Sequence, residues 1–294
     1  MRVLVTGAGG QVGTELRQRV PAWVELTALA SGELDISDAS AVERCVTDLR
    51  PQLLINAAAY TAVDRAETEE AKAYAVNALG AENLARGAQV AGIPLFHIST
   101  DYVFNGESSA AYVEQATTDP QTAYGRSKLA GEQSVANLCR QHIILRTSWV
   151  FSAHGGNFVK TMLRLAAERD ELRVVADQYG GPTSAASIAA CLWKMADEYR
   201  SGQEGFNWGL FHFSGAPQIS WHGFADHIIA AAAKGELIQR SPQVQPITSA
   251  EFPTPAPRPA FSVLSCEKIR EQHDIEQPDW RSDVLVVLAE LAKA

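Results

Sequence analysis

Cysteine is scarce in this chain, and the cysteines that occur lie far apart. There are 4 in 294 residues, and no two of them form a Cys-x-x-Cys pair. Their spacing supplies no set of zinc ligands. We therefore interpret the four as reduced core thiols: Cys45, Cys139, Cys191 and Cys266.

Long hydrophobic runs are also missing. Near the start, only the apolar stretch Val3–Val5 precedes Thr6, which is far shorter than the apolar segment of a signal peptide. The uncharged stretch Gln178–Trp193 is rich in Gly, Ser and Pro at its beginning, so it does not resemble a span of about 20 apolar residues. These patterns predict a cytoplasmic protein with no membrane partner.

Positive charge is in deficit. The chain has 25 Lys+Arg against 34 Asp+Glu, a formal net charge of −9, and its pI is about 5.3. Nucleic-acid binders are usually basic, so no nucleic-acid partner is expected. Hydrophobic residues make up 46% and charged residues 20%, a globular composition that can bury a substantial core.

Short apolar runs alternate with longer amphipathic stretches over the first 150 residues. This alternation predicts an α/β fold with a doubly wound parallel sheet of the Rossmann type, whose ligands sit at the carboxyl ends of the strands. The predicted strands are Arg2–Thr6, Glu25–Leu29, Leu53–Asn56, Leu95–Ser99 and Ile143–Arg146. The predicted helices among them are Gln11–Val20, Ala39–Leu49, Thr68–Ala91 and Thr122–Arg140.

Beyond Trp149 the pattern loosens, and we expect a smaller α/β substrate domain over residues 151–294 beside a dinucleotide-binding domain over 1–150, with the chain crossing back between them. Helices are predicted over Phe158–Arg169, Ser187–Arg200 and Trp221–Lys234. Prolines cluster between Pro242 and Pro259, which favours extended or turn conformations. That segment is either a surface connector or a loop of the substrate pocket.

A glycine-rich loop follows the first predicted strand directly. Gly7, Gly10 and Gly13 are spaced Gly-x-x-Gly-x-x-Gly. This spacing differs from the Gly-x-Gly-x-x-Gly dinucleotide fingerprint, because Val12 stands at the position of the last glycine of that fingerprint. A tight turn followed by a helix N-terminus favours a pyrophosphate. The loop therefore predicts a dinucleotide site.

The end of the second strand leaves the choice of dinucleotide open. It reads Leu29-Ala30-Ser31, with no acid for a ribose 2′-hydroxyl and no arginine for a 2′-phosphate, so NADPH and NADH both stay candidates. Asp35 and Ile36 are placed where an adenine edge could bind. Asp35 could equally cap the next helix, as could Ser37 or Asp38.

Tyr124 and Lys128 are four residues apart and hence lie on one face of the helix predicted there. A nearby cation favours the phenolate and would draw the pKa of a tyrosine toward the working pH, where it can act as general acid or base. The alternative is a surface cation packed along an aromatic ring.

Together these motifs resemble the extended short-chain dehydrogenase/reductases. The resemblance rests on the glycine loop, Asn56–Ala59, Ser99–Phe104 and Tyr124-x-x-x-Lys128. Four more segments are similar to the members that reduce the C4 ketone of a nucleotide sugar: Ala57–Asp64, Arg146–Phe151, Asp177–Thr183 and Pro255–Pro259. The similarity runs to about residue 285. It implies reduction of dTDP-4-dehydro-β-L-rhamnose by NADPH or NADH.

The resemblance also implies roles for individual residues. Tyr124 would protonate the reacting oxygen, Lys128 would hold the nicotinamide ribose, and Thr100 would hydrogen-bond that oxygen. The other implied cofactor contacts are Gly10, Gln11, Val12, Ala30, Asp35, Ile36, Ala59, Tyr60 and Thr61. The implied substrate contacts are Asp101 and Trp149 for the sugar, with Arg258 and Lys160 as candidates for the diphosphate.

Two alternatives stay open beside this function. One is a sister ketoreductase that gives the other C4 epimer, and the other is a non-catalytic regulatory subunit that binds a partner protein. A homodimer is a possible assembly. Some members of the family hold magnesium through glutamates at a dimer interface, but the segment Ser184–Ser187 has no carboxylate, so no metal is expected.

Overall fold

The computed structural model describes residues 1–202 and 205–293. These residues form one six-stranded sheet and three two-stranded sheets. The strands are β1 (Arg2–Thr6), β2 (Glu25–Leu29), β3 (Leu53–Asn56), β4 (Leu95–Thr100), β5 (His142–Thr147), β6 (Val150–Phe151), β7 (Glu171–Val175), β8 (Tyr179–Gly180), β9 (Thr183–Ser184), β10 (Gly209–His212), β11 (Ile219–Ser220) and β12 (Gln243–Ile247). The helices are α1 (Gln11–Gln18), α2 (Ala39–Leu49), α3 (Val63–Ala66), α4 (Glu70–Tyr74), α5 (Gly80–Ala91), α6 (Ala123–Leu138), α7 (Phe158–Glu168), α8 (Ala185–Arg200), α9 (Trp221–Lys234), α10 (Glu267–His273) and α11 (Trp280–Leu291).

The six-stranded sheet is parallel throughout, in the order β10-β5-β4-β3-β1-β2. This arrangement confirms the predicted doubly wound sheet. The strand order reverses at β1, which pairs with β2 on one side and with β3 on the other. In open sheets of this kind a ligand binds at such a reversal, outside the carboxyl ends of the strands.

The five predicted strands are present, and only β4 and β5 extend past their predicted ends. The predicted helix over Thr68–Ala91 is instead α4, a π-helical turn over Ala75–Leu79 and α5. A π turn inserts one extra residue into a helix, and hydrophobic periodicity does not reveal it. Its Asn77 side chain holds the backbone N–H of Tyr60 at 2.8 Å and the backbone carbonyl of Tyr60 at 3.0 Å.

The second half of the chain contributes residues to two separate hydrophobic cores, one of which it shares with the first half. Strand β10 forms one edge of the main sheet, and Ile188 and Leu192 of α8 pack into the same core as Val3 and Leu16. A separate core surrounds the buried rings of Phe151, Phe224 and Trp280. The boundary at residue 150 stays a prediction.

The proline-rich segment contains no α-helix, but part of it is a strand that was not predicted. Strand β12 includes Pro246 and pairs in parallel with β7 at the edge of a two-stranded sheet, where a missing N–H is tolerated. Residues after it return to the first half of the chain, where the Ala256 N–H donates to Asp64. Among the described residues, no helix is both long and apolar enough to cross a membrane.

Candidate active site

A cavity of about 480 Å³ opens at the carboxyl ends of β1, β3, β4 and β5, and we call it the sheet-edge cavity. It lies where the strand order reverses. Its lining brings together most of the predicted site: Gly10, Gln11, Val12, Ala59, Thr61, Thr100, Asp101, Tyr124, Lys128 and Trp149. Residues that lie far apart in the sequence thus meet around one space.

The glycine loop is shaped by close backbone approaches. Gly7 has a positive φ of 76°, and its carbonyl accepts from the Gly10 N–H at 3.0 Å. A Cβ at Gly13 would overlap the Gly7 carbonyl oxygen, so a side chain is excluded there. Helix α1 begins at Gln11 with no side-chain cap, and Gly10, Gln11 and Val12 at its start line the sheet-edge cavity. This cradle fits a pyrophosphate, as predicted for a dinucleotide site.

Besides its place in the glycine loop, Gln11 makes side-chain hydrogen bonds that the glycine motif did not predict. Its side-chain oxygen accepts from Ser152 Oγ and from Asn157 Nδ2, each at 3.0 Å. These bonds tie the glycine loop to the segment 152–157, whose Gly155, Gly156 and Asn157 line the sheet-edge cavity. In the sequence, only the adjacent glycines Gly155 and Gly156 indicated that the segment 152–157 could belong to a binding site.

The residues predicted near the adenosine do not line the sheet-edge cavity, and of these Ala30 lies beside Gly9 of the glycine loop. The Ala30 N–H donates to Glu33 Oε2 at 2.8 Å, so an acid does stand at the end of β2, three residues later than expected. Asp35 accepts from the N–H and the hydroxyl of Ser37, and these bonds hold the pKa of Asp35 below its ordinary value. Asp38 is the residue that caps α2. Ile36 is buried against Gly80.

Tyr124 and Lys128 reach the cavity because α6 starts close to the end of β4. Thr122 caps the helix by accepting from the Gly125 N–H at 2.9 Å. A Cβ at Gly125 would overlap the carbonyl oxygen of Tyr102, so only glycine allows this approach. One turn later, Lys128 Nζ donates to the Ile98 carbonyl at 2.6 Å. Thr100, the last residue of β4, donates to Asp101 Oδ1 at 3.1 Å.

The electrostatics of the pair differ from the expectation that Lys128 draws the tyrosine pKa downward. Burial raises the pKa of Tyr124 to about 12; a hydrogen bond with Thr100 opposes this shift and the Asp101 carboxylate adds to it. Burial lowers the pKa of Lys128 to about 8 against the opposing charge of Glu132. At neutral pH the phenol is therefore protonated and the amine is mainly a cation. A proton donor beside a fixed positive charge suits reduction of a ketone.

The Trp149 ring is packed between two segments of the second half of the chain, at Trp221 and at Gly180. It adopts a positive φ of 46°, rare for a bulky side chain. Its ring stacks on Trp221 with centroids 3.5 Å apart, and Gly180 packs so closely against it that a Cβ there would collide with the indole. Trp221 was not predicted as a site residue. Because Trp221 lies far from Trp149 in the sequence, no local pattern indicated this contact.

A second cavity of about 530 Å³ adjoins the first, and we call it the arginine cavity. Tyr102 lines both cavities, and the stacked pair of tryptophans separates them on another side. Its cations are Arg169, Arg173 and Arg258, and its aromatic walls are Phe158, Trp221 and Phe252. Arg258 pairs with Asp64 at 2.7 Å, while its buried Nη1 has no hydrogen-bond partner among the described residues.

Lys160 and Tyr60, like the residues predicted near the adenosine, lie outside both cavities. Lys160 donates to the Ala153 carbonyl at 3.2 Å and lines a separate surface groove with Arg164. The Tyr60 hydroxyl donates to Glu69 Oε2 at 2.9 Å. Arg169 follows the last residue of α7 and Arg173 lies on β7, and both line the arginine cavity. They were not predicted, because the local sequence does not show which side chains face a cavity.

A cluster of possible metal ligands occurs elsewhere. Glu15, His154 and Glu290 each place a ligand atom within 4.8 Å of the others. A cation of the chain already lies there, since Arg19 is 2.8 Å from Glu15 and 3.8 Å from Glu290. The segment Ser184–Ser187 supplies no carboxylate, and the expected lack of a metal stays a prediction.

The fold is that of the extended short-chain dehydrogenase/reductases, which confirms the resemblance in fold. A family model described as the RmlD substrate binding domain matches residues 1–293. The chain belongs to this family.

Full-length relatives agree with this assignment. The chain is 44% identical over 295 residues to a dTDP-4-dehydrorhamnose reductase of Burkholderia thailandensis, with 99% of each chain covered. It is similar to the crystal structure of a dTDP-4-dehydrorhamnose reductase from Clostridium acetobutylicum, with 36% identity, a TM-score of 0.92 and coverage of 99% and 100%. The Bacillus anthracis enzyme, solved in complex with NADP, has 37% identity, a TM-score of 0.91 and coverage of 98% and 99%.

Proposed function

We propose that this protein reduces the C4 ketone of dTDP-4-dehydro-β-L-rhamnose to dTDP-β-L-rhamnose with NADPH or NADH, the last step of dTDP-L-rhamnose synthesis. The observation that carries the proposal is the placement of Thr100, Tyr124 and Lys128 around one cavity that begins at the glycine loop. The relatives named dTDP-4-dehydrorhamnose reductase, similar over nearly their full length, support the choice of sugar.

The protein's own groups act on the reacting oxygen and on the dinucleotide. The bound dinucleotide supplies the hydride. Thr100 donates a hydrogen bond to the ketone oxygen, and Tyr124 passes its phenolic proton to that oxygen as negative charge develops. Lys128 holds the nicotinamide ribose and stabilises the phenolate that remains. Asp101 and Trp149 contact the sugar.

The nucleotide diphosphate would occupy the arginine cavity. An acidic protein that binds an anionic nucleotide must concentrate positive charge locally, and three arginines line this space. The aromatic walls suit a pyrimidine base. The unpartnered Nη1 of Arg258 is a donor ready for a phosphate oxygen.

Arg258→Met tests this subsite. We expect the KM for the nucleotide sugar to rise about tenfold or more, the effect of losing a hydrogen bond to a charged group, with the KM for the dinucleotide unchanged. Steady-state kinetics at varied sugar and varied dinucleotide separate the two. Lys160→Met is the matched control and should leave both constants near wild type, since Lys160 lies outside both cavities. A larger effect at Lys160 would reverse the assignment.

Glu33 is expected to weaken the use of NADPH. Its carboxylate is hydrogen-bonded at the end of β2, where it would repel a 2′-phosphate. For Glu33→Gln we expect kcat/KM with NADPH to rise about fivefold, equal to roughly 1 kcal/mol for one exposed like charge, and to change little with NADH. Equal changes with both dinucleotides would show that Glu33 does not contact this part of the cofactor.

The first assay follows oxidation of the reduced dinucleotide by the absorbance of its nicotinamide, with enzymatically prepared dTDP-4-dehydro-β-L-rhamnose, and identifies the product sugar by NMR. The rhamnose epimer supports the proposal, and the other C4 epimer indicates the sister ketoreductase. Dinucleotide binding without turnover on any nucleotide sugar, together with a stoichiometric protein partner, favours the regulatory subunit.

Cytoplasmic localisation and a homodimer are also proposed. Four free thiols suit a reducing compartment. Helix α11 exposes Leu285 and Val286 at 56% and 50%, and this apolar pair is the surface we propose for self-association. A mass measurement in solution tests the dimer, and a monomer at every concentration would exclude it.

A further inference from the structure

One buried carboxylate outside the reacting groups joins three of the elements that build the site. Glu132 of α6 is 4% exposed. It accepts from Ser99 Oγ at the end of β4, and it accepts from Arg146 of β5 twice, from Nε at 2.8 Å and from Nη2 at 2.6 Å. The carboxylate thus receives three donors from two different strands.

Each partner is next to a residue that lines the sheet-edge cavity. Ser99 directly precedes Thr100, and Arg146 directly precedes Thr147. Glu132 follows Lys128 by one helical turn, on the same face of α6. The relative position of β4, β5 and α6 at this end of the sheet therefore depends on the bonds to Glu132.

The other contacts of Arg146 add no further charge to the ion pair that it forms with Glu132. Its Nη1 lies 3.4 Å from His212 Nε2, and its guanidinium lies over the Phe104 ring at 5.1 Å. His212 Nδ1 bonds to the Tyr112 carbonyl at 3.0 Å, and burial lowers the pKa of His212 to about 3, so the imidazole is neutral. The negative charge of the Glu132 carboxylate and the positive charge of the Arg146 guanidinium therefore cancel.

Stability alone does not account for such a pair. Moving two charges into the interior costs about as much as their attraction returns, and apolar replacements of similar volume are often neutral or stabilising. Here the pair instead fixes geometry, because a bidentate guanidinium and a carboxylate fit in one orientation.

We propose that Glu132 is a positioning residue of the reduction: through Ser99 and Arg146 it aligns Lys128 with Thr100, and it keeps a negative charge one turn from the Lys128 ammonium. The inference rests on the proposed roles of Lys128 and Thr100.

The surroundings of Lys128 determine the sign of the expected effect. The titratable and charged groups packed around it are Tyr124 and Glu132 on its own helix, His97 on β4, and Arg146, which reaches Glu132 from β5. Burial and the Lys128 charge keep the pKa of His97 well below its ordinary value, so His97 is neutral. Glu132 is then the group that favours the ammonium, against the burial that lowers the pKa of Lys128 to about 8.

Three variants separate charge from geometry. Glu132→Gln removes the charge and keeps the shape, and Glu132→Asp keeps the charge but shortens the reach. Glu132→Gln combined with Arg146→Met removes both charges and so restores neutrality. Glu82→Gln, which breaks an exposed ion pair with Arg86, is the surface control. The measurements are kcat against pH with the dTDP sugar and, without any sugar, the affinity for NADPH against pH from the fluorescence of the bound dinucleotide.

We expect kcat to fall about tenfold or more in all three Glu132 variants, since small misplacements of reacting groups are costly. The alkaline limb of both profiles should move to lower pH by about half a unit or more in Glu132→Gln, and by less in the double variant, where the positive charge of Arg146 is lost as well. It should stay at the wild-type position in Glu132→Asp and in Glu82→Gln. If the alkaline limb of Glu132→Gln stays at the wild-type pH or moves to higher pH, the charge role of Glu132 is overturned. If Glu132→Asp and the double variant both keep the wild-type kcat, the positioning role is overturned.

If Glu132→Gln does not fold, the double variant and Glu132→Asp still decide whether the geometry matters. If wild-type protein binds NADPH but does not turn over the sugar, the proposed function fails. The pH profile of NADPH binding in the variants then still reports on Glu132 and Lys128.

Discussion

Replacing Tyr124 by Phe is expected to lower kcat about a thousandfold, within the range for losing a positioned general acid. The ring fills the same space, packed edge-on against Tyr102 at 5.5 Å, so the fold and the dinucleotide affinity should persist. Because burial raises the pKa of Tyr124 to about 12, the phenol keeps its proton across the working range. Steady-state assays of dinucleotide oxidation measure kcat, and the fluorescence of the bound dinucleotide measures its affinity. A variant with wild-type kcat would show that another group donates the proton.

The pH dependence of the wild type follows from the same pair of residues. Tyr124 remains protonated up to about pH 12, so it produces no alkaline limb in the measurable range. Lys128 loses its proton near pH 8, and activity should fall as the pH rises through that value. A profile that stays flat to pH 10 would contradict the cationic role of Lys128.

Replacing Gly125 by Ala is expected to reduce kcat about a hundredfold although Gly125 carries no reactive group. An added Cβ would overlap the Tyr102 carbonyl oxygen and push the start of α6 away from the end of β4. A shift of about 1 Å between Tyr124 and Thr100 suffices for a loss of this size. Steady-state kinetics and a thermal unfolding midpoint, measured on the same sample, distinguish displacement from unfolding.

Gly87 of α5 is the matched control for this change. A Cβ there would lie at ordinary distance, 3.5 Å from Val42 and from Val46, so Gly87→Ala should keep full activity and gain stability from its helix propensity. Equal activity in the two alanine variants would show that the close approach at Gly125 does not set the position of Tyr124.

The parts of the site that could be predicted are those determined by neighbouring residues. The glycine loop follows a strand of buried aliphatic residues and opens a helix, so strand, turn and helix are all visible within the first residues. Tyr124 and Lys128 share a helix face through their spacing alone. The main sheet was predictable for the same reason, because each strand is a short apolar run bounded by turn residues.

Long-range contacts account for what could not be predicted. Trp221 stacks on Trp149 without a local pattern that indicates the contact. Lys160 and Thr161 are adjacent in α7, yet only Thr161 lines the arginine cavity. The inward face of a helix depends on its neighbours. The pKa of Tyr124 was predicted with the wrong sign because burial raises it, and the spacing of Tyr124 and Lys128 does not reveal how deeply the phenol is buried.

The most direct test of the central claim follows a deuterium label. Wild-type protein is mixed with dTDP-4-dehydro-β-L-rhamnose and with NADPH, or separately NADH, deuterated at C4 of the nicotinamide, and the sugar is analysed by NMR and mass spectrometry. The account predicts dTDP-β-L-rhamnose with deuterium at its C4 carbon and an equal amount of oxidised dinucleotide. Recovery of unlabelled ketone with no dinucleotide oxidised would contradict it.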